Sequence, residues 1–191
     1  SRMADIPSHP DAIQPDWLTE RLRTAGLLAD GRVTAIRWEA IGTGQVGDSA
    51  RFHLSYDREG AGPATVAGKF PAEDQMSRGT AAAFGLYAKE VGFYREIAPQ
   101  LDVRVPGVLA AEIADDAVDF VLIFEDLGPA RGGNQLVSCS AADARAGIRQ
   151  AAAIHGPSWN NAALTGIDWL QPKEGQAEQV KALYGNAQAI F

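Results

Sequence analysis

The stretch Ile41-Gly42-Thr43-Gly44-Gln45-Val46-Gly47-Asp48 lies between two β-prone runs, residues 33–41 and 50–56. Its glycines are spaced G-x-G-x-x-G, and without Cβ atoms the backbone N–H groups of such a loop can come close to phosphate oxygens. A dinucleotide-binding version needs a helix to open directly after the glycines and an acidic residue about 20 positions on. Here a strand follows, and that position falls at Gly68-Lys69. A strand-loop-strand setting instead suits a flap laid over phosphates, although a plain Gly-rich hairpin turn fits the same residues.

The chain outward from this loop reads as an α+β domain. Pro15 at a first helical position, with Trp17, Leu18, Leu22, Leu27 and Leu28 behind it, predicts an amphipathic helix ending near Asp30-Gly31. Residues 33–41, 50–56 and 64–70 are expected as strands, the second with Phe52, Leu54 and Tyr56 on one face. From 81 to 97 the period becomes helical, and Pro99 closes it. Two further strands, 105–113 and 118–124, are joined by a turn at Asp115-Asp116. Gly128-Pro129 and Gly132-Gly133-Asn134 then mark a hinge. Ser140 with Asp143 makes a capping box that opens a helix reaching about His155. The expected units are 1–126, an antiparallel sheet carrying one packed helix with an N-terminal helix ahead of it; 127–139, a linker; and 140–191, the first helices of a second unit.

Two charges inside apolar patterns stand out. Lys69 sits in Val66-Ala67-Gly68-Lys69-Phe70, a β-prone run where an inward charge is expensive. It reads either as an edge-strand lysine that opposes aggregation or as a cation awaiting a buried carboxylate. On the following helix Ala83, Leu86, Glu90, Phe93 and Ile97 share one stripe, while Lys89 and Glu96 fall towards the other side. Glu90 within that stripe answers Lys69, since each burial cost is offset by the other charge. The lesser alternative is that Glu90 reaches out from the stripe's border. Val121-Leu122-Ile123-Phe124-Glu125-Asp126-Leu127 is an apolar strand running into two acids and the linker.

Together, GTGQVG, VAGKF, YAKEVGFYREIAP and VLIFEDLGPARGGNQL, followed by a Cys-Ser-capped helix ending AAIHGPSW, resemble the aminoglycoside phosphotransferase and choline kinase-like superfamily over residues 35 to 170, most of all its bacterial branch near the ecdysteroid-kinase-like proteins. The resemblance implies a protein-kinase-like fold, ATP with Mg2+ as phosphate donor, and transfer to a hydroxyl of a small molecule. Carried onto this chain, Gly42, Thr43, Gly44, Gln45, Val46 and Gly47 would roof the phosphates. Lys69 would hold them, Glu90 would orient Lys69, and Glu125 and Leu127 would meet adenine. Ser49-Ala50 stands where protein kinases favour a valine against adenine.

The same family supplies its catalytic acid and Mg2+ ligands as H-x-D-x-x-x-x-N and a later Asp. His9-Pro10-Asp11 precedes the glycine loop and has Asp16 where the Asn belongs; His53 is followed by Leu54-Ser55; His155-Gly156-Pro157 has proline in place of the acid, with Ala162 where the Asn belongs. No catalytic residue and no metal ligand are therefore assigned. His155 and Trp159 are expected to pack, and Asp168 to serve as a turn or cap residue. Val180, Leu183, Tyr184, Ala187, Ile190 and Phe191 form an apolar face running to the last residue, which predicts that the sequence is a piece of a protein nearer twice its length. The alternative is a non-catalytic nucleotide-binding module, or pseudokinase, acting through a protein partner.

Composition limits the other classes. A chain of 191 residues with 46% apolar content can bury a core. A net charge of -7, with its cations scattered, disfavours nucleic acid and anionic membrane as partners. No run of about 18 apolar residues and no leader-like N-terminus is present, so cytoplasm is the default expectation. Cys139 is the one cysteine, read as a small buried hydrophobe.

Overall fold

The computed structural model describes residues 6–42, 44, 46–130, 132–134 and 136–188. Its centre is a five-stranded antiparallel sheet of β1 (Val33–Ile41), β2 (Gly47–Tyr56), β3 (Thr65–Pro71), β4 (Val108–Ile113) and β5 (Phe120–Glu125), in the order β1-β2-β3-β5-β4. Directly opposed residues share a face, so the registers Phe52↔Val66, Ser49↔Lys69, Lys69↔Leu122 and Ala67↔Phe124 sort every side chain to one side or the other.

Both faces are covered. On one, Ala50, Phe52, Val66, Phe70, Val121 and Ile123 pack with Leu18 and Leu22 of α1 (Pro15–Thr24) and with Ile13, Leu28 and Val33. Phe52 and Phe70 meet edge to face at 6.0 Å. The buried Thr19 hydroxyl is satisfied twice over: it donates to the Pro15 carbonyl at 2.8 Å and accepts from the Val33 N–H at 3.0 Å, which ties α1 to the start of β1. On the other face Phe120, Leu122 and Phe124 pack with Ala81 of α2 (Gln75–Ala83) and with Tyr87 and Val91 of α3 (Leu86–Gly92). Residues 120–124 of β5 are buried without a break, as a strand sandwiched between two layers requires. The expectation of a sheet carrying a single packed helix is thus corrected to a three-layer arrangement, with α1 outside and α2 and α3 inside.

The helix expected over 81–97 is also different. It starts earlier, because the Asp74 carboxylate caps α2 by accepting from the Ser77 N–H at 2.8 Å. It is then broken at Gly85, whose φ of +63° lies in the left-handed region that glycine tolerates. After α3 the chain continues through a wide helical turn, Phe93–Ile97. The Asp115-Asp116 turn forms as expected, with the Asp116 carboxylate accepting from Val118 and Asp119 N–H groups.

Beyond the sheet, α4 (Ala141–Ser158) opens on the expected capping box, the Ser140 hydroxyl accepting from the Asp143 N–H at 3.0 Å. It is followed by α5 (Ala162–Thr165), a short turn at Asp168–Leu170 and α6 (Gln176–Gln188). None of these elements buries a residue. Trp159 is 79% exposed and His155 is exposed too, contrary to the expectation that they pack. Cys139 is exposed rather than buried. Ile190 and Phe191 lie outside the described residues. No helix of the described residues is long and apolar enough to cross a membrane.

Candidate functional site

The alternation of β3 sends Val66, Gly68 and Phe70 towards α1 and therefore Lys69 towards α3, opposite Ser49 and Leu122. On α3 the buried Tyr87 and Val91 turn the intervening Glu90 to the same side. Lys69 Nζ donates to Glu90 Oε1 at 2.7 Å, and each side chain keeps 29% of its exposure. The two charges that sequence reasoning singled out, 21 residues apart, thus meet. Beside them Tyr94 lies edge to face on Phe124 at 4.8 Å. Burial, and secondarily the Glu90 charge, hold its hydroxyl above the ordinary tyrosine pKa.

The glycine loop connects β1 to β2, and its last glycine lies against the lysine of this pair. A Cβ on Gly47 would stand 3.3 Å from Lys69 Cε and 3.1 Å from the Phe70 carbonyl oxygen, so the strand lies directly against the lysine stem. A Cβ on Gly44 would fall 2.0 Å from the Gly47 carbonyl oxygen, which no side chain permits. Gly42 adopts φ +72°. Thr43 and Gln45 lie outside the described residues. Val46 packs on the inner core, and its carbonyl accepts from the Tyr87 hydroxyl at 2.5 Å. That hydroxyl also accepts from the Ala72 N–H at 3.0 Å. Tyr87 is therefore a strut joining α3 to the end of the loop and to the exit of β3. Sequence reasoning missed it; the available signal was a large aromatic with a polar tip three residues before Glu90 on the same helix.

At the other end of the inner face the chain leaves β5. The Glu125 N–H donates to the Gly107 carbonyl at 2.8 Å, and its carboxylate accepts from the Gly107 N–H at 2.9 Å. The Leu127 carbonyl accepts from the Ala130 N–H at 2.9 Å, and among the described residues no hydrogen bond takes the Leu127 N–H. Of the backbone edge expected at Glu125 and Leu127, two groups are thus already engaged. A second unforeseen contact lies here: Arg51 of β2, opposite Ala67, makes a two-pronged ion pair with Asp126.

The site is therefore a glycine loop, an amine fixed by a carboxylate beneath it, and a short stretch of backbone at the far edge. An ammonium held in one orientation beside a glycine-rich loop can receive phosphate oxygens. A cavity of about 210 Å3 beside the same loop is walled by His9, Trp38, Gly42, Gly44, Asp48, Ser49 and Glu73. Among the described residues no three His, Cys, Asp or Glu side chains gather as a metal site. No family model matches the chain, and no curated protein matches it at a significant level.

Proposed function

We propose that the sheet lobe binds ATP and that the protein is a phosphotransferase acting on a hydroxyl of a small molecule. The observation that carries this reading is the Lys69–Glu90 pair beneath Gly47. A part-exposed ion pair of this kind adds on the order of 0–1 kcal/mol to stability, and packed apolar side chains would serve the fold at least as well. Its physical use is to hold an ammonium ready for an anion. Lys69 would receive α and β phosphate oxygens, the 42–47 loop would cover them with backbone N–H groups, and the Leu127 N–H would meet the base.

Transfer itself needs a carboxylate beside the acceptor hydroxyl and oxygens to hold Mg2+. Among the described residues no three His, Cys, Asp or Glu side chains gather to hold it, and no step through it is assigned to them.

Thermal unfolding with and without ATP tests the reading. A ligand at about 1,000 times its Kd stabilises by about 4.1 kcal/mol, so Tm should rise clearly with ATP and fail to rise for Lys69→Ala. A chain whose Tm ignores ATP, or a Lys69→Ala variant that responds as fully as the parent, overturns it. The exposed Ile148, Trp159 and Tyr184 favour a second reading, a nucleotide-binding module that works through a protein partner; it predicts a defined complex rather than phosphate transfer.

A further inference from the structure

Arg51 and Asp126 are 75 residues apart in sequence, yet they pair on the inner face. Arg51 Nε donates to Asp126 Oδ2 at 2.6 Å and its Nη2 to Oδ1 at 3.2 Å, the parallel fork that gives arginine–carboxylate pairs their directionality. Oδ1 accepts in addition from the Gly128 N–H at 3.0 Å. Asp126 is nearly closed off, its side chain 9% exposed, while Arg51 keeps 33%. One carboxylate thereby ties β2 to the turn leaving β5, two segments that no strand pairing joins directly.

Position and charge say what the cluster can do. Arg51 opposes Ala67, and Ala67 opposes Phe124, so the guanidinium stands on the same face as Lys69, displaced from it towards the chain that leaves β5. Its charge is already met by Asp126 and, at 4.0 Å from Nη1, by Glu39, which also pairs with His53. A cation so neutralised is a poor phosphate receptor. What remains is geometric: the cluster sets where residues 126–128 sit relative to the sheet, and with them the Leu127 N–H.

We propose that Arg51, acting through Asp126, is the positioning residue for base recognition, so that it governs the part of nucleotide affinity contributed by the base and not the part contributed by the phosphates. This rests on the nucleotide-binding reading above. It predicts two separable halves of one site, Lys69 with the glycine loop for phosphate and the Arg51–Asp126 clamp for the base.

Titration calorimetry of the whole chain with two probes, ATP and inorganic tripolyphosphate, separates the halves. For Arg51→Met and Asp126→Asn, ATP affinity should fall by about tenfold or more while tripolyphosphate affinity stays within about twofold. Because the two residues act as one unit, the double variant should be no weaker than either single one. Lys69→Ala should weaken both probes. Arg51→Lys, which keeps the charge but not the fork, should behave as Arg51→Met does. Unchanged ATP affinity in Arg51→Met overturns the proposal, as does a parallel loss of both probes, which would signify general loosening. A parent chain that binds tripolyphosphate as tightly as ATP overturns the clamp's role alone, whereas one that binds neither removes the nucleotide reading with it.

Discussion

In the sheet lobe Phe52, Phe70, Phe120 and Leu122 are sealed between α1 on one side and α2 and α3 on the other, whereas in α4 to α6 Ile148 stands 68% exposed and Tyr184 70%. Both regions carry apolar side chains at regular spacing. In the lobe each apolar face meets a second face, and the strands gain their stability from that meeting. In the helices that follow, local devices such as the Ser140 and Asp143 capping box supply the order, and apolar faces stay in solvent. Periodicity states which residues share a face; it does not state that anything covers the face.

The widest separation between the regions is expected in core truncation. Phe52→Ala removes a fully buried ring and its edge-to-face partner, and should cost about 3–5 kcal/mol by urea denaturation. Ile148→Ala, at an exposed site on α4, should stay within about 0.5 kcal/mol. An Ile148→Ala loss comparable to that of Phe52→Ala would break the comparison and place a packed partner on α4 in solution.

The joint between the two regions is the next test. Trp169, in the turn before α6, lies on α3 where Gly92 has no side chain: a Cβ there would fall 2.4 Å from the indole ring. The indole N–H also donates to Glu96 at 3.3 Å. Gly92→Ala forces the ring away, with an overpacking cost of about 1–3 kcal/mol. Amide exchange over residues 162–171 should then accelerate while β2 and β3 remain protected. Equal acceleration in both places would mean that the lobe depends on the helices, against the contrast drawn above.

The same contrast explains what could be read beforehand. The strands were legible because alternation in residues such as Phe52, Leu54 and Tyr56 is a local pattern. Lys69 and Glu90 were legible because a charge inside an apolar pattern demands an opposite charge close by. The break at Gly85 was not, because helical spacing persists across it. Nor was the Asp74 cap, which precedes the first apolar repeat. Tyr87 and the Arg51–Asp126 pair depend on which strands become neighbours, knowledge that the order β1-β2-β3-β5-β4 supplies and spacing does not. His155 and Trp159 were expected to pack from the family resemblance and Cys139 from its residue type, and neither signal supplies a covering layer.

A smaller effect, confined to alkaline solution, belongs to the outer face of the sheet. The Tyr56 hydroxyl donates to the Pro63 carbonyl at 2.7 Å, and burial pushes its pKa up to about 12. Between the ordinary value near 10 and that raised value the unfolded chain releases the proton and the folded chain keeps it, so stability is whole below about pH 10 and declines as pH rises towards 12. Denaturation midpoints across that range should show a decline that Tyr56→Phe reduces. Tyr94, also raised by burial, accounts for part of what remains. A decline untouched by Tyr56→Phe would put the ionisation elsewhere.

The least effect on stability is expected from the residues given the largest role in binding. Lys69→Met, Glu90→Gln and the double variant form a cycle whose coupling should be about 0–1 kcal/mol, since both side chains are part-exposed and water shares their charges. Those substitutions should nevertheless remove or weaken the thermal response to ATP. A coupling nearer 3 kcal/mol would describe a pair the fold cannot spare, and the pair would then explain itself as structure without any nucleotide. A small coupling joined to a lost ATP response leaves the held ammonium with no purpose except its ligand, because a feature that contributes little to folding and depends on two elements meeting at 2.7 Å is otherwise unexplained.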